Sequence, residues 1–248
     1  MAKLFNLGAM NYTKSIAERL QAADWDLHAN ELHQQGYTNL KALLSCDECD
    51  ALTALYPDDK HFRKTINMAR YRFGSGEYKY FQYPLPGLIQ SLRVSLYPYL
   101  APVANLWMQA YKESTSYPAT HEAFLQACHH KGQVRPTPLM LTYSTGDYNT
   151  LHQDLYGEVF FPMQAVVMLS EPGADFAGGE FVLTEQKPRM QSRAIVLAPA
   201  KGDVLIFTTQ ARPVSGSRGF YRAAMKHGVS ELHSGHRKTL GIIFHDAL

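Results

Sequence analysis

The chain has 248 residues and 46% of them are hydrophobic, so it is long enough to bury a sizeable core. Its formal net charge of +2 is too small to indicate nucleic-acid binding by itself. Its three cysteines give no disulfide framework, and neither a leader-like segment in residues 1–12 nor a long apolar run is present. The sequence therefore predicts a cytoplasmic protein without a membrane span.

The part of the chain before residue 136 is predicted to be mainly helical. Apolar residues at helical spacing predict helices over 15–21, 26–35, 85–112 and 120–131. Gly36 is a predicted C-cap, and Ser45 with Glu48 has the form of a capping box that starts a further helix. Pro98 and Pro102 are expected to interrupt the long helix, because proline lacks the backbone N–H.

From residue 136 onward the pattern changes to short apolar or alternating segments separated by Gly, Pro and Asp. Strands are predicted over 139–143, 159–169, 179–183, 194–197, 204–208, 223–227 and 239–245. Short strands in such succession indicate a sandwich or barrel. The predicted fold class is α+β, with a helical support region (1–135) packed on a jelly-roll barrel (136–248) as one integrated domain.

The motif that carries the chemistry is His152-Gln153-Asp154. Side chains alternate along a strand, so His152 and Asp154 share a face and Gln153 points away. Two such ligands and one distant histidine form the facial triad of non-heme Fe(II) oxygenases, which leaves coordination positions open for a cosubstrate and dioxygen. The sequence therefore predicts an Fe(II) site.

The third ligand is predicted to be His227, which ends an apolar strand and precedes Gly228. Three later histidines compete for this role. His233 and His236 lie in a polar turn, where a solvated histidine is expected, and His245 stands near the end of a strand.

Arg237 is the predicted anchor for the cosubstrate. A 2-oxoglutarate molecule chelates iron through its keto-acid end, and its far carboxylate needs a buried cation. The arginine guanidinium can form two parallel hydrogen bonds with such a carboxylate. A hairpin after His227 would bring Arg237 alongside the ligand strand. Thr239, two residues further on the same face, is expected to offer a hydroxyl to the same carboxylate.

These residues resemble the Fe(II)/2-oxoglutarate-dependent dioxygenase superfamily. The stretch from Tyr143 to Asp154 is similar to that of AlkB-like nucleobase demethylases, and this resemblance implies that Tyr143 contacts 2-oxoglutarate. Leu141 and Ile243 stand where those proteins carry an asparagine and a second arginine. The C-terminal strand looks more like that of prolyl-hydroxylase-type members.

The resemblance extends over nearly the full length, to a bacterial group of predicted 2-oxoglutarate/iron oxygenases linked to oxidative demethylation of damaged nucleic-acid bases. The matching segments include 56–59, 76–81, 178–181, 189–193 and 240–246. It implies a double-stranded β-helix core, Fe(II), 2-oxoglutarate and O2 as cofactors, and oxidation of a substrate C–H bond. Demethylation and stable hydroxylation both remain open.

The substrate is predicted from two segments rich in basic residues. Basic residues alternate with aromatic ones over 70–83, which would suit stacking on a single-stranded or flipped base. The predicted substrate contacts are Arg70, Tyr78, Lys79, Tyr80, Arg189 and Arg193, and the arginines at 212, 218 and 222 add positive charge. A hairpin that packs its aromatic side chains on the barrel is the structural alternative for 70–83.

Three functions stay open at this point. The first is demethylation of alkylated nucleic acid, the second is hydroxylation of a protein (prolyl-type) or a small molecule, and the third is a non-enzymatic jelly-roll binding module. The intact set of His152, Asp154, His227 and Arg237 argues against the third. The oligomeric state is left open.

Overall fold

The computed structural model describes residues 13–154, 157–217 and 219–248. The α-helices in these residues are α1 (Ile16–Gln21), α2 (Trp25–Gln35), α3 (Cys46–Thr53), α4 (Gly87–Tyr111) and α5 (His121–His130). The strands are β1 (Tyr37–Leu40), β2 (Phe62–Asn67), β3 (Gly74–Ser75), β4 (Glu77–Phe81), β5 (Leu139–Ser144), β6 (Tyr148–His152), β7 (Met163–Met168), β8 (Phe176–Gly178), β9 (Phe181–Gln186), β10 (Arg193–Leu197), β11 (Val204–Thr208), β12 (Ala211–Gly216), β13 (Gly219–Val229) and β14 (Leu232–Ile242).

The strands form two antiparallel sheets. The larger sheet has the order β1-β11-β7-β14-β5-β4-β2, with β8 paired to β14. The smaller sheet has the order β10-β9-β13-β6-β3, with β12 paired to β13. Most neighbouring strands in each sheet are distant in the chain, so strand pairing brings together residues that lie far apart in the sequence. The predicted combination of helices and a two-sheet barrel is observed.

The N-terminal region also contributes strands. The hairpin alternative for residues 70–83 covers β3 and β4, whereas β1 and β2 were not predicted. Strand β1 pairs with β11, and β4 pairs with β5, so both edges of the larger sheet come from residues before 135. These strands are short, and their conformation depends on partners elsewhere in the chain more than on local preference. The division at residue 135 stays a prediction, since the larger sheet uses strands from both sides of it.

Helix α4 is continuous, and the prediction that prolines interrupt it was wrong. Pro98 and Pro102 both lie inside the helix and are exposed. They are four residues apart and so share one face, which leaves the other face free to pack. That face buries side chains such as Leu96, Leu100 and Trp107 in the main core. Burial of a whole helix face offsets the roughly 3 kcal/mol that an internal proline costs.

Several predicted boundaries shift because glycines and pairing partners set them. Only residues 181–183 of the predicted strand 179–183 belong to a strand, β9, since Gly178 and Gly179 have φ angles of +73° and +62° that break the extended chain. Strand β7 begins at Met163, not at residue 159, and β14 spans 232–242, not 239–245. The predicted helix ends at Gly36 and Ser45 are confirmed.

The expectation that no leader is present concerns residues 1–12, which lie outside the described residues. Across the ranges that are described, no helix combines the length and the apolar character needed to cross a membrane. The cytoplasmic location stays a prediction.

A buried arginine fixes the chain segment that follows β14. Arg93, in α4, is fully buried and donates hydrogen bonds to the backbone carbonyls of Ile243, Phe244 and His245 at 2.9–3.0 Å. It also forms an ion pair with the carboxylate of Asp246 at 2.7 Å, and both side chains are inaccessible to solvent. Arg93 thereby connects the helical layer to the C-terminal end of the barrel.

Replacing Arg93 by Met should lower the free energy of unfolding by about 3–5 kcal/mol, because Asp246 would keep a buried charge without its arginine. Urea denaturation measures this difference. The matched control is Arg135→Met at an exposed position, where a change of no more than about 0.5 kcal/mol is expected. Equal stability of the two variants would contradict the role given to Arg93.

Candidate metal and cosubstrate site

A cavity of about 240 Å³ lies between the two sheets. The larger sheet contributes residues of β4, β5, β7 and β14 to its walls, and the smaller sheet contributes residues of β6, β9 and β13. Most of the lining is aromatic or aliphatic. Three of the polar residues, His152, Asp154 and His227, lie together, and Arg237 lines the same cavity.

Strand pairing brings the predicted ligands together. His152 ends β6 and is paired directly with His227 of β13, and their ring centroids are 4.2 Å apart. Asp154 follows the end of β6, with Oδ1 3.5 Å from His152 Nε2 and Oδ2 3.4 Å from His227 Nε2. One donor atom from each of the three residues lies within 4.8 Å of the others, so the group could hold a metal ion.

The donor set fits Fe(II). Two imidazoles and one carboxylate on one side of an ion are the ligands of the facial triad. His152 Nδ1 donates a hydrogen bond to the backbone carbonyl of Thr150 at 2.8 Å, which leaves Nε2 free to coordinate. The described residues group no other three His, Cys, Asp or Glu side chains closely enough for a metal.

The electrostatics favour an ionised carboxylate between the two rings. Burial opposes the charge of Asp154, but His227 and His152 outweigh it and hold the Asp154 pKa well below its usual range. Burial lowers the pKa of His227, and the nearby Asp154 only partly offsets this. Burial also acts against the charged form of His152, yet its contact with Asp154 prevails and raises the His152 pKa. A cation placed between the three residues would take the place of these contacts between the imidazoles and the carboxylate.

Gln164 orients the carboxylate and was missed by the sequence analysis. Its Nε2 donates to Asp154 Oδ2 at 2.7 Å and lies 3.3 Å from His227 Nε2. The signal in the sequence is a single amide in the apolar strand β7, since a buried polar side chain requires a partner. Gln164 is therefore placed to fix which oxygen of Asp154 faces the candidate metal position.

A second group of residues fits a carboxylate at the other part of the cavity. Arg237 is only 1% exposed, and its Nε and Nη2 atoms have no hydrogen-bond partner within the described residues. The hydroxyl of Tyr143 is also buried without a partner, and the guanidinium carbon lies 5.5 Å from the Tyr143 ring centroid. Burial lowers the pKa of Arg237 to about 10 and raises that of Tyr143 to about 12. Unpaired buried donors are costly, and an incoming carboxylate would satisfy them.

Gly179 makes room for Arg237. A Cβ atom at this position would lie 3.1 Å from Arg237 Cδ and 2.3 Å from Leu232 Cδ1. Thr239, the other predicted cosubstrate contact, is buried two residues beyond Arg237 and lines the cavity. Of the double glycine, Gly179 therefore leaves space for Leu232 and Arg237, a role that its sequence pattern alone did not reveal.

The predicted hairpin between His227 and Arg237 is wrong. Strand β13, with His227, belongs to the smaller sheet, whereas β14, with Arg237, pairs with β5, β7 and β8. The chain passes from one sheet to the other between them, so the two residues face the cavity from different sheets. This arrangement separates the candidate metal ligands from the cationic end.

The competing histidines lie elsewhere. His233 and His236 are exposed on β14, and His245 is buried beyond its end, where its Nδ1 accepts a hydrogen bond from the backbone N–H of Phe161. Burial lowers the pKa of His245 to about 4.

The structure brings only some of the predicted substrate contacts to the cavity. Tyr78 and Tyr80 line it. Lys79 points to the opposite face of β4, where Nζ lies 2.8 Å from Asp59 Oδ1 and 4.7 Å from the ring centroid of Tyr56. Strand alternation explains this separation.

The predicted arginines lie outside the cavity walls. Arg70 and Arg189 are exposed, and Arg193 forms an ion pair with Glu185, which also binds Arg212. Of the additional arginines, Arg222 pairs with Glu113, and Arg218 lies outside the described residues.

Comparison with known proteins identifies the family. The model of a family described as "Oxygenase, catalysing oxidative methylation of damaged DNA" matches residues 76–247. The chain belongs to this oxygenase family. Two relatives, the uncharacterized proteins Rv2227 and MT2286 of Mycobacterium tuberculosis, are each 46% identical over 167 residues, which cover 67% of this chain and 72% of theirs.

Solved structures confirm the fold. A Pseudomonas putida prolyl-4-hydroxylase is similar with a TM-score of 0.55 and 14% identity, covering 90% of this chain and 99% of that one. An oxidoreductase of the 2OG-Fe(II) oxygenase family from Burkholderia pseudomallei has a TM-score of 0.51 and 15% identity, covering 91% and 93%. The core is thus the predicted double-stranded β-helix. The prediction of an oxygenase is confirmed at the level of the family, and the His–Asp–His group in the cavity fits the predicted Fe(II).

Replacing Gln164 by Leu should weaken Co(II) binding about 10- to 100-fold, because Asp154 would lose the donor that orients it. Titration of the protein with Co(II), followed by the visible absorption of the bound ion, measures the affinity. Gln186→Leu makes the same change at an exposed position of β9 and should leave the affinity unchanged. If both variants bind Co(II) as the parent does, Gln164 has no part in the site.

Proposed function

We propose that this protein oxidises alkylated bases of nucleic acid and removes the alkyl carbon. In this proposal His152, Asp154 and His227 hold Fe(II), and Arg237, Tyr143 and Thr239 hold 2-oxoglutarate. The observation that carries it is the pairing of a His–Asp–His group with an unsatisfied buried arginine in one cavity. The family description supports the choice of substrate.

When bound, Fe(II), 2-oxoglutarate and dioxygen supply the oxidising chemistry: 2-oxoglutarate becomes succinate and carbon dioxide, and one oxygen atom enters a C–H bond of the substrate. On an N-methyl group, the hydroxylated product breaks down to formaldehyde and the free base nitrogen. On a ring or side-chain carbon that is not bonded to nitrogen or oxygen, the hydroxylated product would persist.

The protein's own residues bind, orient and exclude water. Arg237 neutralises the far carboxylate, and the Tyr143 hydroxyl donates to it. Gln164 holds Asp154 in one orientation. The apolar walls, which include Leu141, keep bulk water from the reacting atoms.

The aromatic wall supports a flat, stacking substrate. Tyr78 and Tyr80 line the cavity with their ring centroids 5.4 Å apart and their planes at 89°. Burial raises the pKa of Tyr78, a hydrogen bond with Tyr80 offsets part of this, and the charge of Asp154 adds to it. The Tyr78 ring lines the same cavity as His152 and Asp154. A nucleobase entering here would contact aromatic faces next to the metal position.

The deciding assay loads the protein with Fe(II) and 2-oxoglutarate without oxygen, then admits air in the presence of one substrate. We expect succinate and formaldehyde in equal amounts with a methylated single-stranded oligonucleotide, and no formaldehyde with its unmethylated form. His152→Ala and Asp154→Ala should lower turnover at least about 100-fold by removing a ligand. If succinate forms only with peptides or small molecules, the protein is an oxygenase whose substrate is not nucleic acid.

Replacing Arg237 by Met should raise the dissociation constant of 2-oxoglutarate about 10- to 100-fold, since charge-assisted hydrogen bonds would be lost. Anaerobic calorimetry of the Fe(II)-loaded protein measures it without turnover. Arg189→Met, at an exposed site outside the cavity walls, is the matched control and should bind as the parent does. Unchanged affinity in the Arg237 variant would refute its assigned role.

A further inference from the structure

A short connection joins the two sheets beside the cavity. Residues 68–76, which we term the strap, link β2 to β4 of the larger sheet. Within the strap, β3 pairs with β6 of the smaller sheet, with Gly74 opposite Asn149 and Ser75 opposite Tyr148. Met68 and Phe73 line the cavity together with His152. The strap therefore forms part of the entrance wall.

The backbone of the strap is held firmly against β6. Both the N–H and the hydroxyl of Thr150 donate to the Phe73 carbonyl at 2.9 Å. A Cβ at Gly74 would lie 2.3 Å from the Tyr148 carbonyl oxygen, so only glycine allows this approach. Met68 is buried at the start of the strap. A fixed backbone presents its outward side chains without a further loss of chain entropy on binding.

Two aromatic rings stand exposed on this fixed segment. Tyr71 is 53% exposed and Phe73 is 42% exposed, and their rings are stacked at 5.7 Å with an interplanar angle of 18°. Tyr148, on the paired strand, is 43% exposed. Further inside, Tyr78 lines the cavity, and the nearby hydroxyl of Tyr71 contributes to its raised pKa after burial and Asp154. Aromatic surface thus extends from the solvent to the candidate metal ligands.

Cationic side chains flank the stacked rings. Arg70 and Arg72 stand on either side of Tyr71, and both are exposed. Neither forms an ion pair with any residue in the described ranges. Two of the nearest acids along the chain are engaged elsewhere: Glu77 accepts a hydrogen bond from the Tyr56 hydroxyl, and Asp59 forms an ion pair with Lys79. The strap therefore carries two exposed arginines, adjacent in the sequence to Tyr71, that form no ion pair within the described ranges.

We propose that the strap is a clamp for single-stranded nucleic acid. Tyr71 and Phe73 stack on a base next to the one that enters the cavity, and Arg70 and Arg72 contact the phosphates on both sides of it. The inference rests on the proposed function and names the form of its substrate. Ring faces are available for stacking only on unpaired bases, so single strands bind more tightly than duplex. Backbone contacts by arginine make the binding depend on salt but not on sequence.

The test is a binding measurement on the full metal-free chain, with a fluorescein-labelled single strand of unmodified oligodeoxythymidylate as the probe. Tyr71→Leu combined with Phe73→Leu should weaken binding about tenfold and leave the salt dependence unchanged. Arg70→Gln combined with Arg72→Gln should lower the slope of log affinity against log salt by about 1.4, which is about 0.7 for each lost phosphate contact. The two double variants separate stacking from charge.

Matched controls exist on the same protein. Phe220→Leu removes a ring that is 57% exposed on β13, seven residues and so about 23 Å along the strand from His227. Arg135→Gln removes an exposed arginine. Both should bind the probe as the parent does. Tyr71→Leu alone keeps Phe73 in the cavity wall and should still weaken binding, which excludes a change of cavity shape as the cause.

A spectroscopic reporter checks the stacking itself. Tyr71→Trp places an indole at the proposed contact, and its emission should be quenched by the oligodeoxythymidylate but not by an equal concentration of poly-glutamate. If both the oligodeoxythymidylate and poly-glutamate quench the emission, the strap binds anionic polymers in general, and the nucleic-acid clamp is wrong. If every variant binds the single strand as the parent does, and methylated oligonucleotides are still demethylated, the clamp is wrong while the proposed function stands. Absence of nucleic-acid binding, with turnover only on peptides, would overturn both the clamp and the proposed substrate.

Discussion

The pairing of β6 with β13 is the constraint on which the candidate site depends. It places His152 opposite His227, and Asp154, just past the end of β6, then reaches both imidazoles. A shift of this register by one residue would turn His152 to the other face of the sheet. The register is supported on both sides, because β13 also pairs with β9 and β6 also pairs with β3.

The second constraint is the separation of charge across the cavity. The smaller sheet carries the candidate ligands, and the larger sheet carries Arg237 on β14 and Gln164 on β7. A molecule with a chelating end and a carboxylate end could contact both walls at once and could satisfy the Arg237 Nε and Nη2 donors, which have no hydrogen-bond partner among the described residues. The same contact between sheets lets Gln164 reach across to Asp154.

The helical layer supports this arrangement from behind. Helix α4 buries one face against the barrel, and Arg93 binds the chain just beyond β14 through three carbonyls and Asp246. Since Arg237 lies on β14, a fixed end to that strand also limits the movement of the cosubstrate position. The strap joins the two sheets beside the cavity, because it links β2 to β4 of the larger sheet while β3 pairs with β6 of the smaller sheet.

The sequence alone singled out the residues whose role depends on local spacing. His152 and Asp154 follow from the two-residue spacing of the motif, although β6 ends at His152, Asp154 lies beyond it, and Gln153, which was expected to point away, also lines the cavity. Gly36 and Ser45 follow from capping chemistry, and Arg237 from its place in a strand after His227. The tertiary structure decided which histidine completes the group, which sheet carries Arg237, and that Lys79 faces away from the cavity. It also revealed Gln164 and the continuous α4. These features depend on contacts between strands and helices that are far apart in the chain. Pairing register and the burial of a helix face are properties of the whole fold, so the residues of one segment do not determine them.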